Sequence, residues 1–201
     1  NELSKIDDIK RIRISSIEVT ELNDKFLDML KNNDKVCDHL HIPLQAGSDE
    51  ILKRMNRKYD LAYYEEKIKK IRSIRPDISI STDIIVGFPY ETEELFLNTL
   101  EFSKKIKFSK IHVFPYSVRV GTAAANMKEQ VDEVVKKMRV KRLMAVSHML
   151  EVDYYNKFKD KELDILIETC DNNVSEGHTS NYLLVSVPEN IKVGEIVRRK
   201  I

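Results

Sequence analysis

The nine residues Ile78–Val86, ISISTDIIV, form a continuous run rich in β-branched side chains. Runs of this kind are typical of strands buried on both faces of a parallel sheet. This one run constrains the rest of the fold, because parallel strands must be joined by long crossovers, normally helices. The flanking sequence supplies them. RIRISSIE (11–18) and HLHIPL (39–44) read as earlier strands and Lys110–Tyr116 as a later one. Between them TELNDKFLDMLKN (20–32), with Thr20 as its N-cap, SDEILKRMNR (48–57), Leu61–Arg75 and Thr92–Lys105 keep a helical apolar period. Strand and helix alternate, which predicts an α/β fold of βαβ units with parallel strands.

Residues 127–158 read as one long helical bridge rich in Lys and Arg. From Lys161 the pattern changes. LDILIETC, NYLLVSV and EIVRRKI are short β-prone runs separated by DNN, SEGHTSN and PENIKVG. They predict a small all-β barrel. The expected domains are therefore 1–157, α/β, and 158–201, all-β. A chain of 201 residues with 42% hydrophobic content can build both cores. Its net charge of +1, with 33% charged residues, excludes a broadly basic or broadly acidic protein. A nucleic-acid partner would have to meet a local basic patch. No apolar run is long enough to span a bilayer, so no membrane partner is expected. The two widely separated cysteines, Cys37 and Cys170, point to a reducing, cytoplasmic setting.

Four polar side chains fall on or just after the successive strands: Glu18, Gln45, Arg57 and Asp83. Singly they have ordinary explanations: a helix cap, a solvated cation, a carboxylate satisfying backbone donors. Together they suit one ligand with an ammonium for Glu18, a carboxylate for the Arg57 fork and vicinal hydroxyls for Asp83 and Gln45. S-adenosylmethionine (SAM) carries all of these groups. His39 and His41 alternate with Leu40 and Ile42, so they share one face of their strand. With no carboxylate or cysteine expected to share their site they make a weak metal pair. No metal ligand set is predicted, and they are expected to line a polar interior.

RIRISSIE, VCDHLHIPLQAGSDEILKRMNRKY, ISISTDIIVGFPYETEE and FSKIHVFPYSVRVGTAA resemble consecutive signature segments of the MiaB-like radical-SAM methylthiotransferases. SSIE and FSKIHVFPYS resemble the MtaB branch most. The resemblance implies the distal half of a radical-SAM barrel, a partial TIM-type barrel. It also implies SAM contacts at Glu18, Gln45, Arg57 and Asp83, and a reaction in which SAM yields a radical that abstracts hydrogen. The family uses [4Fe-4S] clusters. No CxxxCxxC loop occurs in this sequence, so the clusters are expected only in a longer parent, and this chain alone is expected to be inactive. The branch thiomethylates threonylcarbamoyladenosine beside the tRNA anticodon. Isopentenyl-adenosine, a ribosomal-protein side chain, or a purely RNA-binding role are the alternatives.

KELDILIETCDNNVSEGHTSNYLLVSVP resembles a TRAM domain, which implies RNA binding. Tyr182 would stack on a base or else pack in the barrel, while His178, Arg198, Arg199 and Lys200 would meet phosphates of a tRNA anticodon arm. Three positions depart from the family pattern. Tyr90 replaces the glycine of a turn that often needs positive φ, and Val118 and Ala123 replace prolines. A partial barrel would leave a parallel edge exposed, from which self-association is expected.

Overall fold

The computed structural model describes residues 2–201. Its first part alternates helices α1 (Asp24–Asn32), α2 (Asp49–Arg54), α3 (Leu61–Ile74) and α4 (Glu93–Ile106) with strands β1 (His39–His41), β2 (Ser79–Val86) and β3 (Lys110–Pro115). The strands form a parallel sheet in the order β1-β2-β3. The long helix α5 (Glu133–Asn156) follows, then an antiparallel sheet of β4 (Glu162–Asp171), β5 (Val174–Thr179), β6 (Leu184–Val187) and β7 (Ile196–Lys200) in the order β6-β5-β4-β7. No helix among the described residues is long and apolar enough to cross a membrane.

Three sequence expectations are corrected. Residues 11–18 do not form a strand. They touch the sheet region through one parallel bridge, Ile12 to Val36, and a bond from the Ile17 N–H to the His41 carbonyl (3.0 Å). Arg11 and Arg13, inside this segment, instead reach away to backbone carbonyls of Asp164, His178 and Thr179. Thr20 lies in a 3-10 turn, and α1 is capped by Asn23, whose side chain accepts from the Phe26 N–H. SEGHTSN (175–181), expected as a linker, supplies all of β5 but its first residue. That strand pairs with β4 through a two-residue turn at Asn172 and Asn173, with φ of 48° and 64°. Asparagine tolerates this left-handed geometry, which matches the twist of a hairpin.

The main core joins one face of the parallel sheet to the helices. Leu40, Ile80 and Ile84 from the strands share it with Tyr64, Ile68 and Ile71 of α3 and Phe96 of α4, all at most 1% exposed. A smaller core of Ile165, Ile167, Val187 and Ile191 lies within the antiparallel sheet. The turn before α4 departs from its usual composition at a price in strain. Tyr90 has φ of 69°, the region expected for this position, and the Arg54 guanidinium covers its ring at 4.0 Å. Beside it the buried Arg139 of α5 donates to Glu91 (2.8 Å), which also accepts from the Gly87 N–H (2.6 Å). Burial outweighs these partners and raises the Glu91 pKa.

Candidate functional site

The face of the parallel sheet turned away from the helices is polar. In register, His39 pairs with Ser79, His41 with Ser81 and Asp83 with His112. Paired residues of parallel strands point to the same side, so histidine, serine and aspartate line one surface. They form a continuous chain. His39 Nε2 is 2.9 Å from Ser81 Oγ, which is 3.0 Å from His41 Nδ1, and His41 Nε2 is 3.3 Å from Asp83 Oδ2.

One proton order satisfies this chain where it ends on the Asp83 carboxylate. His41 donates through Nε2 to the carboxylate and accepts at Nδ1 from the Ser81 hydroxyl, which in turn accepts from His39 Nε2–H. His39 Nδ1 is then a bare acceptor, and that atom is buried without a partner. Burial, reinforced by Arg13 and the neighbouring histidines, lowers the His39 pKa to about 4, so its ring is neutral. His112 is lowered too, first by burial. His112 was not singled out in the sequence. Its signal was the alternation in KIHVFP, visible only once β3 is aligned with Asp83.

The expectation that the histidines lack a carboxylate neighbour is overturned, because adjacent parallel strands bring Asp83 to His41. The structure also links the other candidates. The Gln45 N–H donates to the Asp83 carbonyl (2.8 Å), and its own carbonyl accepts from the Ile85 N–H (2.9 Å). Gln45 holds φ of 71° to do so. Two residues on, Gly47 lets this loop pack on α4, where an added Cβ would meet Thr99 Cα at 2.5 Å. Arg57 Nη1 lies 3.3 Å from Glu18 Oε1, a single long contact, and Arg57 Nε is buried and unpartnered. Glu18 and Arg57 thus meet each other, while Gln45 and Asp83 meet through backbone.

At the other end of the inner face, Tyr182 stacks against two rings while 45% exposed. Its centroid is 4.5 Å from that of His39 and 4.5 Å from that of His178, and Arg13 approaches the ring to 4.5 Å. The remaining basic candidates are each paired. His178 contacts Glu168 (2.7 Å), Arg198 contacts Glu162 (3.3 Å), Arg199 contacts Glu189 (2.6 Å) and Lys200 contacts Asp160 (2.9 Å). A phosphate there must displace a carboxylate, and the exposed pairs are weak enough for that exchange.

The two cysteines do not fit an iron–sulfur cluster. Cys37 is 2% exposed beside β1, and Cys170 stands on β4, 3.3 Å from Asn190 Oδ1. A cluster needs several thiolates converging on one loop.

A parallel sheet backed by helices, with a polar inner face and ligand-ready loops at its strand ends, defines a class, and the comparisons agree with it. Residues 1–103 match the Radical SAM superfamily, and the chain belongs to that superfamily. Within it, its relatives are tRNA methylthiotransferases. It is 43% identical to the threonylcarbamoyladenosine tRNA methylthiotransferase MtaB of Bacillus subtilis, over 98% of this chain and 45% of that protein. It is 41% identical to a tRNA-2-methylthio-N(6)-dimethylallyladenosine synthase of Thermoanaerobacter, over 100% of this chain and 43% of that protein. The chain thus spans less than half the length of these relatives. In fold it resembles Escherichia coli coproporphyrinogen III oxidase, a radical SAM enzyme, with a TM-score of 0.56 and 21% identity over 70% of this chain and 32% of that one.

Proposed function

We propose that this chain is the distal part of a cytoplasmic radical-SAM methylthiotransferase that acts on threonylcarbamoyladenosine of tRNA. In this reading residues 1–157 complete a partial barrel and 158–201 form a TRAM-type RNA-binding domain. The observation that carries the choice of substrate is the polar inner face. His41, Ser81, Asp83, Lys110 and His112 share it by register. A threonylcarbamoyl group carries a carboxylate, a hydroxyl and a urea, which such a surface can hydrogen-bond. A dimethylallyl group is apolar and would take the exposed Lys110 and His112 out of water without offering either a hydrogen-bond partner, at about 1–3 kcal/mol for each group so buried.

SAM fits the residues at the other end of the site. Its aminoacyl group is zwitterionic, so the ammonium can go to Glu18 and the carboxylate to Arg57, replacing one long pair with two charge-assisted ones and engaging the orphaned Arg57 Nε. Gln45 and Asp83 remain for its ribose. Bound SAM, with a [4Fe-4S] cluster supplied from outside these residues, would provide one-electron hydrogen abstraction. This chain's residues would position the ligands.

The test is binding to anticodon-arm RNA carrying either threonylcarbamoyl- or dimethylallyl-adenosine, with SAM affinity measured in parallel by equilibrium dialysis. Preference for the threonylcarbamoyl RNA, weakened by His112→Ala, is the expected result. SAM binding should fall at least tenfold in Arg57→Ala. Equal affinity for both RNAs would remove the substrate assignment.

A further inference from the structure

His41, Asp83 and His112 each present one ligand atom to the inner face, and the three atoms lie within 4.8 Å of one another. We propose that these residues form a binding site for one first-row divalent transition-metal ion, in a two-histidine, one-carboxylate arrangement with open positions. Donor type supports it, since imidazole with carboxylate suits such ions and three protein ligands leave room for water or a ligand oxygen. Around an ion with bonds of about 2.1 Å, ligand atoms stand roughly 3–3.5 Å apart. The 3.3 Å between His41 Nε2 and Asp83 Oδ2 already meets that, and His112, within 4.8 Å of both, has to close in by at most about 1.5 Å. The two imidazole rings are 5.6 Å apart and tilted at 58°, so they do not stack on each other.

The second shell is also in place. Ser81 Oγ holds His41 Nδ1 at 3.0 Å, which aims Nε2 at the shared space. On metal binding His41 moves its proton from Nε2 to Nδ1 and donates it to Ser81 Oγ. Ser81 then donates to His39 Nε2, and His39 carries its proton on Nδ1. The chain reverses its polarity without losing a proton, and the buried His39 Nδ1, unpartnered as an acceptor, becomes an unpartnered donor.

His41, Asp83 and His112 also serve the substrate reading, but the test of the metal site uses neither SAM nor RNA, so the two can fail separately. The full 201-residue chain, freed of metal, is titrated with Co2+ and followed by its visible d–d absorption, then with Zn2+ in competition. One Co2+ per chain is expected. His112→Ala and Asp83→Asn should each weaken binding at least tenfold, with far-UV circular dichroism unchanged. His148→Ala, an exposed histidine on α5, should leave it unchanged. Where a variant fails to fold, the wild-type histidine NMR signals decide: Zn2+ should shift those of His41 and His112 and leave His148 in place. Absence of stoichiometric binding, or binding lost on His148→Ala and kept in His112→Ala, would overturn the site.

Discussion

Among single residues, His39 carries the clearest energetic consequence. Its folded pKa of about 4 lies below the unfolded value of 6.5. Between those values the unfolded chain binds the extra proton, so stability rises with pH. The contribution is complete above about 6.5 and is lost as pH falls toward 4. At about 1.4 kcal/mol for each pKa unit it amounts to roughly 3 kcal/mol at most. Urea unfolding at pH 7.5 and at pH 5 should show the lower midpoint in acid, and His39→Gln should flatten that difference. An unchanged pH dependence in the variant would mean that other groups carry it. The same residue shows what sequence can and cannot reveal. Its face was legible from the alternation with Leu40. Its neutral state depends on Arg13 and on burial under Tyr182, and neither is adjacent to it in sequence.

At the level of elements, β3 is an edge strand that would expose unpaired backbone, and α5 partly covers it. Ser147 of α5 accepts from the Ile111 N–H (3.0 Å) and donates to the Ile111 carbonyl (3.2 Å), so one hydroxyl satisfies both backbone groups. Ser147→Ala leaves them buried and unpaired, which should cost about 1–3 kcal/mol in urea denaturation. A loss under about 0.3 kcal/mol would mean that water replaces the hydroxyl. The helices and most strands were legible from apolar period, whereas the one cap expected, Thr20, was misplaced, because Asn23 accepts from the Phe26 N–H in that role. Residues 11–18 were misread because their alternating apolar residues mimic a strand. The competing pull of Arg11 and Arg13 toward distant carbonyls leaves no local trace. Glu18, Gln45, Arg57 and Asp83 could be picked from the sequence as polar candidates, whereas the His41–Asp83–His112 grouping needed the register of three strands.

For the whole molecule the question is how tightly the two sheets are joined. Arg11 and Arg13 cross to the second sheet, Asp38 accepts from Ser180 Oγ (3.1 Å), Asn181 donates to the Tyr154 hydroxyl (3.1 Å), and Tyr182 stacks on His39. The stacking of Tyr182 on His39 and its contact with Arg13 are worth roughly 2 kcal/mol together. Tyr182→Ala should therefore loosen the antiparallel sheet selectively. Amide hydrogen exchange is expected to speed up across β4–β7 while β1–β3 keep their protection. A uniform rise across all strands would instead mean that both sheets unfold as one unit. The distinction bears directly on RNA recognition. Tyr182 is 45% exposed although His39, His178 and Arg13 all approach its ring, so it can both join the sheets and meet a base, and weaker RNA binding in Tyr182→Ala has two causes to separate. If binding falls while exchange in β4–β7 is unchanged, the ring itself meets the base. If both change together, Tyr182 acts by holding the second sheet against the first, and the contact to RNA lies elsewhere on that sheet.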